Sequence, residues 1–365
     1  NPAIETLRSR GAEVTSEMEA FFEVCPCRII GVTGSDGKTT TITLISEMLK
    51  TEGKTVWLGG NIGTPLLPLV RQMQETDIAV VELSSFQLMD MKRSPQRAVV
   101  TNLAPNHLDI HKDMQEYVDA KKNIFRYQGK DGLLVLNADN DITAAFRGNG
   151  TTRFFSRKGM AYVCIEDGVI CRDGRKVLPV KDILIPGVHN IENYMAAIAV
   201  VEGLVSDETI RHVAKTFGGV EHRIELVRVK DGVRFYNDSI ASSPSRTIAG
   251  LRSFPEKVIL IAGGYDKHIP YEPLAPEIVA HVKVLVLMGA TAPRIEKAVR
   301  EDPNFNEAEL PIQHADNMQH AVELARACAK PGDIIILSPA SASFDLYPNF
   351  EVRGREFKKI VNELK

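Results

Sequence analysis

The chain has 365 residues, is 44% hydrophobic and 25% charged, and carries a formal net charge of -3. That length points to two or three domains, and the composition is that of an ordinary globular protein. The charge balance gives no support for a nucleic-acid surface or a polybasic membrane contact, and no apolar run approaches the roughly 20 residues that span a bilayer.

Residues 1–27 combine a short helical stretch, Gly11 and an acidic segment, too few residues to build a core alone. The chain opens on Asn1-Pro2, without the basic-then-apolar pattern of a leader. Its five cysteines are 25, 27, 164, 171 and 328, and Cys25-Pro26-Cys27 lacks a second Cys or Cys/His pair to complete a zinc site. Free thiols in a reducing compartment are the expectation.

Residues 28–41 are the most informative stretch. Ile29, Ile30 and Val32 read as a buried strand, Gly34-Ser35-Asp36-Gly37 as a turn, and Ile42, Ile45, Met48 and Leu49 as one helix face. Lys38, Thr39 and Thr40 sit between turn and helix. These are the parts of a phosphate cradle: backbone N–H groups point at anionic oxygens, Lys38 adds a cation, and a Thr hydroxyl suits Mg²⁺. Val32 stands where the common loop has its first Gly, so Gly34-x-x-Gly37-Lys38-Thr39 is a shorter variant. The bland alternative is a glycine turn with a solvated lysine. The flanking strand and helix favour nucleoside triphosphate binding.

Strands are expected at 28–32, 55–58, 78–83, 98–103 and 133–137, and helices at 39–52, 65–75, 114–127 and 190–204. This alternation predicts an α/β domain on a largely parallel sheet. Between 153 and 186, short β-like runs are separated by Asp167-Gly168 and Asp173-Gly174, which predict hairpins in a small antiparallel insertion. Gly218-Gly219 marks a hinge. Beyond it, runs at 258–262, 282–287 and 334–337 end in Gly263-Gly264, Gly289 and Ser338-Pro339, the strand-end positions where open α/β sheets bind ligands.

Several polar residues allow two readings each. Glu82 ends an apolar strand run, where a carboxylate either reaches Mg²⁺ or merely caps or solvates a loop. His107, Asp109 and His111 alternate, as metal ligands on one strand face would, or are exposed loop residues. Lys121 and Lys122 lie on a predicted helix whose plain reading is a solvated face. Asn190 and Asn193 open another helix, where Asn is a favoured cap.

Taken together, Gly34–Thr40, Glu82-Leu-Ser-Ser-Phe-Gln-Leu, Gly59-Gly-Asn61-Ile-Gly, Asn106-His-Leu-Asp, His189-Asn-Ile-Glu-Asn193, Glu221-His-Arg, Tyr236-Asn-Asp-Ser, Gly263-Gly-Tyr-Asp-Lys, Ser338-Pro-Ala-Ser-Ala-Ser and Asn349-Phe-Glu-Val-Arg-Gly resemble the Mur ligases. The resemblance covers the chain from residue 28 onward, and the 84–88 run is similar to the member that adds D-glutamate. It implies a cytoplasmic ATP-dependent ligase joining D-glutamate to UDP-N-acetylmuramoyl-L-alanine through an acyl phosphate in peptidoglycan synthesis. The implied partners are these small molecules, with no nucleic acid or membrane and a monomeric state. The implied domains are a remnant of a UDP-binding domain (1–27), a central ATPase domain (28–219) and a C-terminal Rossmann-like domain (220–365). A fragment so truncated is expected to bind nucleotide without completing ligation.

By the same resemblance, Lys38, Lys121, His107 and Glu82 are catalytic. Gly34, Ser35, Asp36, Gly37, Thr39 and Thr40 hold phosphates, with Asn190 and Asn193 near adenine, Arg223 near phosphate and Asp238 at ribose. Asn61 faces the muramoyl substrate, Ser84 is a further substrate-binding residue, and Lys267, Ser343 and Phe350 bind D-glutamate. Thr39, Glu82, His107 and a CO₂-carbamylated Lys121 would serve two Mg²⁺ ions, with Mn²⁺ an alternative for the histidine site. One departure stands out: Ile240 follows Asn-Asp-Ser where the familiar pattern has Lys. Competing readings are a folate-polyglutamylating or other Mur-type ligase, and a non-catalytic nucleotide-binding module.

Overall fold

The computed structural model describes residues 6–7, 9–12, 15–104 and 111–365. Two compact units emerge, one of Asn1–Leu184 with Val188–Phe217, the other of Ile185–Gly187 with Gly218–Lys365.

The first unit is built on a nine-stranded sheet of order β2-β3-β1-β4-β5-β6-β7-β8-β9. Its parallel strands are β1 (Arg28–Thr33), β2 (Val56–Gly60), β3 (Ile78–Glu82), β4 (Arg97–Val100), β5 (Leu133–Asn137) and β6 (Thr151–Ser156). β3, between β2 and β1, is buried along its whole length, as its unbroken apolar run requires of a strand covered on both faces. Helices Lys38–Thr51, Met114–Arg126 and Val188–Val200 cover the sheet. One core joins Phe21, Ile29, Ala79, Val81, Val100, Tyr117 and Ile124. Asp113 caps the Met114–Arg126 helix by accepting from the Glu116 N–H, a local reason for it to start there.

Three expectations need correction. The predicted 65–75 helix is only a 3-10 turn, Leu67–Gln72, with Pro at its start; its poorer hydrogen bonding suits short pieces. The predicted 98–103 strand stops at Val100; the Thr101 N–H still donates to the Thr33 carbonyl and the Asn102 carbonyl accepts from Ser35, while both side chains bond Asp36. The 153–186 stretch is not a separate insertion. β7 (Val163–Glu166) pairs parallel with β6, and β8 (Val169–Arg172) and β9 (Arg175–Pro179) then extend the same sheet antiparallel. Both Asp-Gly turns are present, with φ of 48° and 74° at 167–168 and 51° and 71° at 173–174, as type I′ hairpins demand.

The second unit carries a six-stranded sheet of order β10-β11-β15-β12-β13-β14. β11 (Val233–Asn237), β15 (Ile334–Leu337), β12 (Val258–Ala262), β13 (Val282–Met288) and β14 (Ile312–Ala315) are parallel. β10 (Glu225–Lys230) is an antiparallel edge joined to β11 through Asp231-Gly232, a third turn with two positive φ angles. Alternate residues of β12 serve opposite cores: Leu260 and Ala262 pack with Leu251 and Ile295, while Ile259 and Ile261 pack with Val322 and Phe357. Among the described residues, no helix is long and apolar enough to cross a membrane.

Candidate active site

β1 delivers the chain into a tight loop and then into the Lys38–Thr51 helix. Gly34 and Gly37 are required there. Gly34 has φ 151°, and a Cβ on it would lie 1.9 Å from the Thr101 Oγ1. Gly37 has φ 79°, and its Cβ would lie 2.4 Å from the Asn193 Oδ1. Both positions combine a conformation that side chains resist with a close approach. The loop is anchored from β4: Asn102 Oδ1 accepts from the Asp36 N–H at 3.0 Å, and Thr101 Oγ1 donates to the Asp36 carbonyl at 2.6 Å. Buried Ser35 shares a hydrogen bond of 2.9 Å with the Tyr117 hydroxyl.

Lys38 folds back over its own loop and donates to the carbonyls of Gly34 and Ser35, both at 2.9 Å. Thr39 donates to Glu82 Oε2 at 2.7 Å, and Asn61 Nδ2 donates to Glu82 Oε1 at 3.0 Å. One carboxylate, 2% exposed at the end of β3, therefore gathers the helix start and the loop after β2. Thr40 is buried beside it in sequence, on the same helix. Ser84 caps the helix Ser85–Met89 in a reciprocal box with Gln87.

The two lysines of the Met114–Arg126 helix part company. Lys121 is 2% exposed and donates to Thr33 Oγ1 at 3.0 Å, with the Tyr117 ring 4.9 Å from its nitrogen. Burial, with Lys38 nearby, lowers its pKa from 10.5 to about 7, while Glu82 opposes the shift. Lys122 instead points to Asp119 at 3.0 Å on the outer face. Asn193 bonds Asn190 at 3.1 Å and accepts from Thr41 at 3.3 Å, so both asparagines reach the loop's side of their helix. His107 and Asp109 lie outside the described residues. His111 is buried, 2.9 Å from Ser85 Oγ and stacked on Phe86. Among the described residues no group of three His, Cys, Asp or Glu is placed to hold a metal ion. Thr39 with Glu82 is the oxygen pair that suits Mg²⁺.

In the second unit the strand ends of β11, β12 and β15 gather the remaining candidates. Asp238 follows β11 and is 4% exposed. Burial raises its pKa from 3.8 to about 7, against the Ser338 hydroxyl at 2.8 Å and the Ile224 N–H at 3.3 Å. Arg223 is exposed, and its charge acts on Asp238. The Ile240 carbonyl accepts from Arg246 at 3.2 Å, so a guanidinium stands beside the position where the familiar pattern has Lys. Lys267 is exposed, 5.9 Å from the Phe344 ring. Ser343 is buried, and the Phe350 carbonyl accepts from Ser239 at 2.7 Å.

Arg353 lies within the Asn349–Gly354 motif, which assigned it no role. It is 2% exposed and donates to Ser239 Oγ and O, Ser341 O and Ala342 O at 2.9–3.1 Å. A single side chain from the last helix thus ties the loop after β11 to the loop after β15. Tyr117 was missed likewise, although its spacing four residues before Lys121 on a helix face was a usable signal.

Strand, glycine loop, Lys-Thr, helix and an acid on the adjacent strand define a phosphate-loop α/β protein. Two family models match, the Mur ligase middle domain over residues 32–201 and the Mur ligase glutamate ligase domain over residues 222–341. The chain is 56% identical to a UDP-N-acetylmuramoylalanine–D-glutamate ligase of Acetivibrio thermocellus, across 100% of this chain and 80% of that protein. A protein of the same description from Clostridium novyi is 54% identical with the same coverage. The solved structure of MurF from Acinetobacter baumannii superposes with a TM-score of 0.68 at 17% identity, over 94% of this chain and 79% of that one, a likeness of fold. The chain belongs to the Mur ligase family.

Proposed function

We propose that this chain is an ATP-dependent ligase that joins D-glutamate to UDP-N-acetylmuramoyl-L-alanine in cytoplasmic peptidoglycan precursor synthesis, acting as a single chain. The observation that carries the reading is the 56% identity, across the whole of this chain, to a ligase of that description. The strand-end cluster of Lys38, Thr39, Glu82, Asn61 and Lys121 supplies the chemistry.

The substrate carboxylate attacks the γ-phosphorus, the bond to ADP breaks, and an acyl phosphate forms. The D-glutamate amine then attacks the acyl carbon, phosphate leaves, and the amine proton passes to solvent. Catalysis of this kind is positioning and charge stabilisation. Lys38 exchanges its two loop carbonyls for phosphate oxygens. Ser35, Asp36, Thr40 and the two loop glycines shape the cradle, Asn61 faces the muramoyl substrate, and Ser84 is a further substrate-binding residue. Asn190 and Asn193 take the adenine, and Arg223 and Asp238 contact the phosphates and ribose. Lys267, Ser343 and Phe350 take D-glutamate, with Lys267 suited to a carboxylate.

Thr39 and Glu82 would hold Mg²⁺, which when bound neutralises triphosphate charge. His107 is proposed as a ligand of a second ion, Mg²⁺ or Mn²⁺. Lys121 is proposed as the carbamylated residue. A pKa of about 7 leaves much of its amine unprotonated at neutral pH, and only a free amine can attack CO₂. The resulting carbamate carries a negative charge and two oxygens.

The test is phosphate release by the full-length protein from ATP with UDP-N-acetylmuramoyl-L-alanine and D-glutamate, omitting each in turn. Release that needs all three is expected. Turnover without D-glutamate, or preference for a folate acceptor, overturns the reading.

A further inference from the structure

We propose that Cys25 and Cys27 form a redox-active dithiol that peroxide converts to an intramolecular disulfide. This is independent of the ligase reading. The two sulfurs lie 3.4 Å apart. A disulfide needs about 2.05 Å, so closure asks the sulfurs to approach by about 1.3 Å. Cys25 is half-buried and reachable, whereas Cys27 is 4% exposed and packs in the core with Phe21, Ile29 and Ala79. The pair occupies the short link between the helix Glu17–Val24 and β1.

The chemistry of the two sulfurs is unequal. The hydrogen bond from Cys27 lowers the Cys25 pKa to about 7 despite burial. The same bond and burial push the Cys27 thiol up, and Asp77 adds to this. Cys25 is therefore the thiolate and Cys27 the resolving partner. A nucleophilic thiol with a pKa near the ambient pH is well placed for attack.

The Cys25 thiolate attacks one peroxide oxygen, the O–O bond breaks, hydroxide leaves, and Cys25 becomes a sulfenic acid. Cys27 gives its proton to that hydroxide, and its sulfur attacks the Cys25 sulfur. The S–O bond breaks, and the departing hydroxide takes up the proton that the Cys25 thiol released to the buffer on ionising. The two thiols lose two electrons, and peroxide is reduced to two waters. Closure draws the Cys27 sulfur out of the core immediately before the strand that leads into the phosphate loop. The remaining cysteines are poorer candidates. Cys164 and Cys171 face each other across β7 and β8 but are 2% and 0% exposed, and the Cys328 sulfur accepts from Gln313.

The experiment exposes the reduced protein to stoichiometric hydrogen peroxide at neutral pH, blocks remaining thiols with N-ethylmaleimide and maps the peptides. The peptide spanning Cys25 and Cys27 should become lighter by two hydrogens, escape labelling and be restored by dithiothreitol. Loss of the Cys25 label should be at least about tenfold faster than loss at Cys328. In Cys27→Ser, Cys25 should stop at a sulfenic acid that dimedone captures, and in Cys25→Ser, Cys27 should stay reduced over the same time. Full labelling of both thiols after peroxide, or equal oxidation of Cys27 in Cys25→Ser, overturns the proposal.

Discussion

In each unit burial moves one titratable group to about pH 7, from opposite directions. Lys121 in the first unit comes down from 10.5, and Asp238 in the second comes up from 3.8. Their surroundings differ. Lys121 makes its hydrogen bond to one hydroxyl, Thr33, and rests near an aromatic face. Asp238 is held on both oxygens, by Ile224 and Ser338, with Ser338 itself bonded to Thr247. A buried group with few partners is free to react, while one with several is a fixed acceptor. The same desolvation thus lowers the pKa of an amine in one unit and raises that of a carboxyl in the other.

The largest expected effect is on turnover. Lys38→Ala removes the cation that rests on the loop carbonyls, and phosphate release should fall by about a thousandfold. Near-normal turnover would take the first unit out of the comparison as the seat of the chemistry. Next comes the second unit's scaffold. Arg353→Met leaves the Ser341, Ala342 and Ser239 carbonyls without their buried donor and should cost about 3 kcal/mol in urea unfolding. A loss below about 1 kcal/mol would mean that the two loops hold themselves.

The two buried groups then predict opposite pH slopes, each bounded by one proton, or about 1.4 kcal/mol per pH unit. Between about 7 and 10.5 the unfolded chain keeps the Lys121 proton and the folded chain does not. Stability should therefore rise with pH across that window in CO₂-free buffer, and Lys121→Met should remove that rise. Between 3.8 and about 7 the folded chain keeps the Asp238 proton and the unfolded chain does not. Stability should accordingly gain from falling pH there and lose as pH rises. Asp238→Asn should flatten this contribution. Matching slopes of wild type and variant, measured by denaturation at fixed ionic strength, would remove the pairing of the two groups.

The smallest effect tests the sheet's antiparallel edge against its parallel centre. Gly168→Ala places a Cβ at φ 74° in open space, so only backbone strain opposes it. It should cost about 1 kcal/mol. Gly34→Ala meets the Thr101 hydroxyl at 1.9 Å as well and should impair nucleotide binding besides.

Much of this protein is local and so was legible in the sequence. The phosphate loop is one contiguous segment whose glycines, lysine and threonines act through neighbouring backbone. The Asp-Gly hairpins need only two residues with positive φ, and β3 declares itself by an unbroken apolar run. Lys38, Thr39 and Glu82 could therefore be nominated before any fold was known. What the tertiary structure alone decided depends on residues far apart in the chain. Helix periodicity does not show that Lys121 is buried, and although the resemblance singled it out, its burial against Thr33, 88 positions away, is a tertiary fact. Just past β4, the Thr101 and Asn102 side chains bond the Asp36 backbone, about 65 residues before them. Arg353 sits in an amphipathic helix like any surface arginine until four carbonyl and hydroxyl contacts bury it, two of them at Ser239, more than a hundred positions away. Desolvation and hydrogen bonding act through space, and sequence spacing carries no record of which distant groups will close around a charge.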